Sequence, residues 1–220
     1  MMILQQMIAE KRITRHQWTG IDEQGRGTAN LLAALHPPCG VEMSAASCPA
    51  SLMPQWMADL TVWLNDSPSE SHWWSVVERY GALAQRFPEL DVKRWERASY
   101  RIGAAILRIA LPLADDEWGC RRAVLGMLAC YESAVETGEI DALVRAKWVI
   151  AASEATWAAE VAGASEATWA AWAAWAKWPA GAARAALAQE AKRAERADLI
   201  CDAVLDALEA ELTAEKGESA

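Results

Sequence analysis

The stretch Leu143–Trp178, LVRAKWVIAASEATWAAEVAGASEATWAAWAAWAKW, decides the fold of this 220-residue chain. About half of the residues after Ile150 in this stretch are alanine, and most of the large side chains are tryptophan. Alanine is the best helix former, and the first proline that follows is Pro179. The stretch, in which the segment SEATWAA occurs twice, therefore predicts one long helix or two helices broken near Gly163.

The tryptophans of this stretch do not share one face of the helix. Trp169, Trp172, Trp175 and Trp178 follow one another at steps of three residues, so each lies about 60° from the last around the helix axis. A helix with large apolar groups on several sides is usually buried on more than one side. We therefore expect the Ala/Trp helix to be central in the fold. The alternative is an exposed tryptophan surface that binds a partner or a second copy, with Trp172 and Trp175 as candidates.

Apolar residues recur at steps of three and four over most of the chain, which is the pattern of helices with one buried face. We predict an all-α protein, a bundle of about seven or eight helices packed around the Ala/Trp helix. Three regions are expected: short helices and an irregular segment over residues 1–50, a helical bundle domain over 51–214, and a disordered tail over 215–220. The predicted helices span residues 1–13, 29–35, 52–64, 71–87, 92–111, 116–136, 140–178 and 182–212. Thr28 is predicted to cap the second of these helices and Pro37-Pro38 to stop it. Asp91 is predicted to cap the helix 92–111, and the helix 116–136 is predicted to end near Gly138.

The chain is acidic, with a formal net charge of −9 and an isoelectric point near 4.9. This charge argues against direct nucleic-acid binding and favours a partner with a basic surface. The five cysteines show no regular spacing, which is typical of reduced thiols in a cytoplasm. Charged residues interrupt every apolar run, so we expect neither a membrane span nor a secretory signal.

Three aspartates near the C-terminus are spaced four residues apart, so they form an acidic row on one face of the last predicted helix. The row consists of Asp198, Asp202 and Asp206, with Glu209 close by. Such a row is commonly a solvated surface. It is also suited to docking a basic protein, and three carboxylates together could chelate a cation. We take these acids as the candidate partner-binding residues.

Motifs that would identify an enzyme are missing from the sequence. It contains no H-E-x-x-H, G-x-S-x-G, C-x-x-C or Walker A pattern. His36, Cys39 and Cys48 could be interpreted as metal ligands, but the spacing does not match a known set and a fourth ligand is missing. We therefore expect no catalytic residues, no metal and no cofactor; a metal-dependent or thiol enzyme remains the alternative.

Four segments carry a resemblance to a known group of proteins. These are CPASLMPQWMADL from Cys48, WWSVVERY from Trp73, the alanine and aromatic run Ala167–Trp178, and RADLICDAVL from Arg196. Over residues 48–212 this layout resembles helical proteins of phages, actinobacteria and proteobacteria, some of which are described as immunity proteins. In those proteins the repeat is often longer and contains tyrosine, which this chain lacks there. The resemblance implies an origin in a prophage or another mobile element.

These observations together predict a non-enzymatic protein–protein interaction module in the cytoplasm of a bacterial host cell. The leading hypothesis is a phage-derived stoichiometric inhibitor of a host defence complex, such as a CRISPR-type ribonucleoprotein. Its acidic last helix and exposed tryptophans would cover a basic surface of the target. The alternatives are an immunity protein that neutralises a toxin, which neighbouring genes would distinguish, and a structural homo-oligomer.

Overall fold

The structure, a computed structural model, describes residues 2–161, 173 and 193–214. These residues are mostly helical, with one small hairpin of strands β1 (Thr19–Ile21) and β2 (Gly27–Ala29). The all-α prediction is therefore confirmed. The described helices are α1 (Met2–Ala9), α2 (Leu31–Leu35), α3 (Pro37–Glu42), α4 (Gln55–Asp66), α5 (Glu70–Ala84), α6 (Val92–Ala110), α7 (Cys120–Thr137), α8 (Ala142–Val161) and α9 (Arg193–Thr213).

The chain divides into two compact units, Met1–Leu90 and Asp91–Ala220. Residues 1–50, which we predicted as a region of their own, are included in the first of these units. The reason is that residues before 50 share a core with the helices that follow them. In the first unit α2 packs against α1 and α4, and α1 packs against α5. The irregular N-terminal segment is thus part of a helical unit.

The core of the first unit consists of large, fully buried side chains, and it also contains two buried asparagines, Asn30 and Asn65. Asn30 caps α2, because its Oδ1 accepts a hydrogen bond from the backbone N–H of Ala33 at 2.8 Å. Asn65 Oδ1 accepts one from the N–H of Leu31 at 3.2 Å. These bonds satisfy backbone donors at the buried end of α2. The largest fully buried side chains here are Leu4, Leu31, Leu32, Met53, Met57, Leu60, Leu64, Tyr80 and Phe87.

Two local predictions in the first unit were wrong, and a third was incomplete. The segment expected to be irregular contains the antiparallel hairpin, in which Thr19 pairs with Ala29. Thr28 was predicted to cap the next helix, but it lies in β2 and Asn30 provides the cap. Pro37 and Pro38 were predicted to stop a helix. Helix α2 does end at Leu35, and the two prolines also open α3, because proline fits the first turn, where its missing N–H is not needed.

In the described part of the second unit, α6 lies between α7 and α9 and packs against both. Its N-cap is Asp91, as predicted, and the predicted end of α7 at Gly138 is also confirmed by its left-handed backbone. Helix α8 packs against α7. Glycines allow α6 to lie close to α7, and α7 to lie close to α8. A Cβ at Gly103 of α6 would lie 2.9 Å from the ring of Tyr131 of α7, and one at Gly126 of α7 would overlap the ring of Trp148 of α8.

The described helices are each too short or too polar to cross a lipid bilayer. Residues 162–172 and 174–192, which include much of the Ala/Trp stretch, lie outside the described residues, as does the predicted tail 215–220. The central position of the Ala/Trp helix therefore stays a prediction. Its described N-terminal part is α8, which contacts α7.

Candidate interaction surface

Helix α9 places the four predicted acidic residues at the edge of its buried face. Asp198 and Asp202 are half-buried, whereas Asp206 and Glu209 are exposed. Burial raises the pKa of the Cys201 thiol, and the nearby carboxylates of Asp198 and Asp202 raise it further. The acidic row thus exists as predicted from its spacing. The buried face beside it consists of Ala197, Ile200, Cys201, Val204, Leu205, Leu208 and Leu212.

Asp206 also lines a groove between α6, α7 and α9, with a volume of about 540 Å³. Small residues dominate two of its sides, so the groove is wide enough to admit side chains of another molecule. Helix α6 contributes Ala104 and Ala105, and α9 contributes Ala203, Ala207 and Ala210. Helix α7 supplies the opposite wall with Glu132, Val135 and Glu136. Carboxylates therefore lie on the α7 side and on the α9 side of the groove, and alanines of α6 and α9 line the space between them.

The arginines of the groove are already bound by carboxylates. Arg108 Nη2 lies 2.7 Å from Glu132 Oε1, and both side chains are exposed. Arg101 Nε donates a hydrogen bond to Glu211 Oε2 at 3.1 Å. The charged side chains that line the groove are three carboxylates, of Glu132, Glu136 and Asp206, and two guanidinium groups, of Arg101 and Arg108, so the lining carries one net negative charge. The groove is therefore suited to a cationic ligand.

Glu211 is the centre of a charge cluster that sequence analysis did not find. Its side chain is fully buried, and three guanidinium groups surround it. Arg97 Nη2 lies 2.9 Å from Oε1, Arg101 Nε 3.1 Å from Oε2 and Arg94 Nε 3.5 Å from Oε1. Arg94 also donates hydrogen bonds to the backbone carbonyls of Glu211 and Ala214. The cluster fixes α9 on α6 at the end of the groove.

A signal for this cluster was present in the sequence. Arg94, Arg97, Arg101 and Arg108 are separated by steps of three, four and seven residues, which places them on one face of α6. Such a row predicts carboxylates on the helices packed against it. The sequence does not show which carboxylates these are, because Glu211 is 110 residues away from Arg101.

The two predicted tryptophans of the site, Trp172 and Trp175, lie outside the described residues. The structure therefore does not bring them together with the acidic row. It does place Trp157, from the first copy of the repeated segment, at the surface of α8 with 70% of its area exposed.

The thiols of Cys39 and Cys48 are the part of the suggested metal site that the fold brings together. Both are buried, and they lie close enough for each to affect the pKa of the other. Burial raises the pKa of the Cys48 thiol to about 12, so it is held as a neutral thiol at physiological pH. Within the described ranges, no group of three or more histidine, cysteine, aspartate or glutamate residues is arranged to hold a metal ion.

Comparison with known proteins identifies no relative of this chain. No protein-family model, curated protein or solved structure matches this chain.

Proposed function

We propose that this protein is a non-enzymatic protein–protein interaction module that binds a basic segment of a partner protein along α9 and the adjoining groove. The observation that carries the proposal is the position of Asp206. It stands on the alanine-lined wall of the groove, opposite Glu136 on α7, and continues the acidic row of α9. Alanine leaves room for a partner's long side chains, and the carboxylates attract their charged ends.

The partner class follows from the charge of the whole chain as well as from the groove. A net charge of −9 raises the encounter rate with a basic surface and lowers affinity for nucleic acid. A surface that normally faces nucleic acid has the required charge. We therefore propose that the protein is a stoichiometric inhibitor, of phage origin, that covers such a surface in a host defence complex. An immunity protein would use the same surface against a toxin.

The experiment is a pull-down from host lysate with the tagged protein, with and without nuclease. A partner is relevant when it is retained in stoichiometric yield after nuclease treatment. The variant Asp206→Lys/Glu136→Lys reverses one carboxylate on each wall of the groove and should release this partner. The matched control Glu23→Lys/Glu117→Lys makes the same charge change at two exposed positions outside the groove and should retain it.

Salt provides the second test of the same proposal. Binding through exposed carboxylates weakens as ionic strength rises, because the charges are screened beyond about 10 Å at 0.1 M salt. Reversing Asp198, Asp202 and Asp206 should therefore weaken binding and also reduce its dependence on salt. Binding that is equally strong and equally salt-dependent in this variant and in the native protein would exclude the acidic row as the contact.

A further inference from the structure

Helix α8 carries a stripe of large apolar side chains that face solvent. Leu143 is 84% exposed, Ile150 60% and Trp157 70%. They are seven residues apart, and seven residues complete two helical turns to within about 20°, so the three side chains line one face. Large apolar side chains exposed along one face of a helix are typical of an interaction site. We call Leu143, Ile150 and Trp157 the α8 stripe.

The opposite side of α8 is the one that packs against α7. Ala152, Ala155 and Ala159 are buried there, and the ring of Trp148 covers Gly126 of α7. These positions lie about half a turn around the helix from Ile150. The α8 stripe is therefore not part of the α7 contact, and none of its residues lines the groove between α6, α7 and α9.

We propose that the α8 stripe is the seam of a homodimer in which the α8 helices of two copies lie antiparallel around a twofold axis. With the axis beside Ile150, the two Ile150 side chains meet. Leu143 of each copy then faces Trp157 of the other, because both residues lie seven positions, about 10.5 Å, from the axis. The face is thus complementary to itself, as a twofold interface requires.

Charge on the flanks of the stripe selects the antiparallel arrangement. Lys147 and Glu154 are both exposed and lie on the same flank, three positions before and four positions after Ile150. In the single chain, Lys147 Nζ lies 4.9 Å from the centroid of the Trp148 ring, so the side chain must turn from this ring toward the seam in the dimer. In an antiparallel pair, Lys147 of each copy lies across from Glu154 of the other, which gives two reciprocal ion pairs. A parallel pair would place these charges opposite Ala146 and Ser153, which are uncharged. Those two small residues form the other flank and allow close approach of the helices.

The test begins with the association constant of the full-length protein, measured by sedimentation equilibrium. Lys147→Glu places like charges across the seam twice and should weaken dimerisation about tenfold. The double variant Lys147→Glu/Glu154→Lys exchanges the two charges and should restore the native constant, because each pair is again of opposite sign. The difference between Lys147→Glu and the native protein should shrink at 1 M salt.

The apolar contact is tested separately. Ile150→Asp places two carboxylates together at the axis and should make the protein monomeric at concentrations at which the native chain is a dimer. The control Val41→Asp introduces the same charge at an exposed valine of the first unit and should leave the dimer intact. Equal helix content in the three proteins by circular dichroism shows that folding is unchanged.

Two results would overturn the proposal. One is a native protein that stays monomeric up to about 1 mM, the concentration at which even a weak specific contact forms; the α8 stripe would then belong to a different occupant. The other is a dimer that the charge exchange does not restore, since only an antiparallel seam pairs Lys147 with Glu154. Neither result affects the partner proposal for the groove, which rests on other residues.

Discussion

Glu211 has no exposed surface, and its two carboxylate oxygens are held by the guanidinium groups of Arg94, Arg97 and Arg101. Glu211→Ala should lower the free energy of unfolding by about 3 kcal/mol, because three charges that were arranged around a carboxylate lose it. Arg97 and Arg101 are each 34% exposed, so water replaces part of the interaction. This places the loss at the low end of the range for buried ion pairs. Urea unfolding measures the change.

Glu132→Ala is the matched control for this substitution. It removes a carboxylate that also binds an arginine of α6, Arg108, but both side chains of that pair are exposed. Exposed pairs contribute at most about 1 kcal/mol, so the control should change stability little. Equal losses in the two variants would show that burial of Glu211 is not the source of its effect.

The five cysteines are all buried, and burial raises the pKa of each thiol, that of Cys48 to about 12. Only the thiolate reacts with a disulfide reagent, so the native protein should react at pH 8 orders of magnitude more slowly than the urea-unfolded chain. Dithionitrobenzoate absorbance measures both rates. A thiol that reacts at the unfolded rate in the native protein would contradict the burial described here.

The raised pKa of Cys48 makes the free energy of unfolding depend on pH. A thiol with an ordinary pKa near 9 ionises in the unfolded chain before the folded Cys48 does. The unfolded state therefore loses protons first, and stability is full below pH 9 and falls as pH rises from about 9 to 12. A free energy of unfolding that increases over this interval would contradict the direction of the shift.

At the scale of elements, the contact of α7 with α8 depends on one glycine. A methyl group at Gly126 would overlap the ring of Trp148. Gly126→Ala should therefore destabilise the protein by about 1 to 2 kcal/mol, since overpacking costs about 1 to 3 kcal/mol. The better helix propensity of alanine offsets up to about 1 kcal/mol of this. Urea unfolding of the variant gives the net value.

The variant Trp148→Ala separates the overlap of the added methyl group with the indole ring from the effect of helix propensity. Without the indole ring there is no overlap, so Gly126→Ala should be neutral or stabilising in that background. If Gly126→Ala is equally destabilising with and without Trp148, the ring is not the reason for glycine at this position.

Element boundaries were predictable wherever local chemistry decides them. Asp91 at the start of α6 and Gly138 at the end of α7 were both found from the sequence, because caps depend on one residue and its backbone. The hairpin was missed because its strands have only three residues each, too few for an alternating pattern. Helix α3 was missed because Pro37 was interpreted as a stop, although proline also starts helices.

At the scale of the whole molecule, the sequence predicts which face of a helix is buried but not which helix covers it. The spacing of the arginines in α6 was visible, yet their partner Glu211 is more than 100 residues away. The acidic row of α9 was predicted, whereas the groove beside Asp206 also needs α6 and α7. The placement of residues on one helix was therefore predictable, whereas clusters assembled from several helices were not.

The division of the chain after Leu90 gives the prediction at this scale. A fragment of residues 1–90 contains both partners of the long-range hydrogen bonds that hold the first unit, such as Gln5 Nε2 to the carbonyl of Gly81 at 2.7 Å. It should unfold cooperatively in urea, as followed by circular dichroism. A fragment of residues 1–50 lacks α4 and α5, leaves Leu31 and Leu32 without most of their core, and should show no cooperative transition. A folded 1–50 fragment, or an unfolded 1–90 fragment, would contradict this division, because a compact unit must contain its own core.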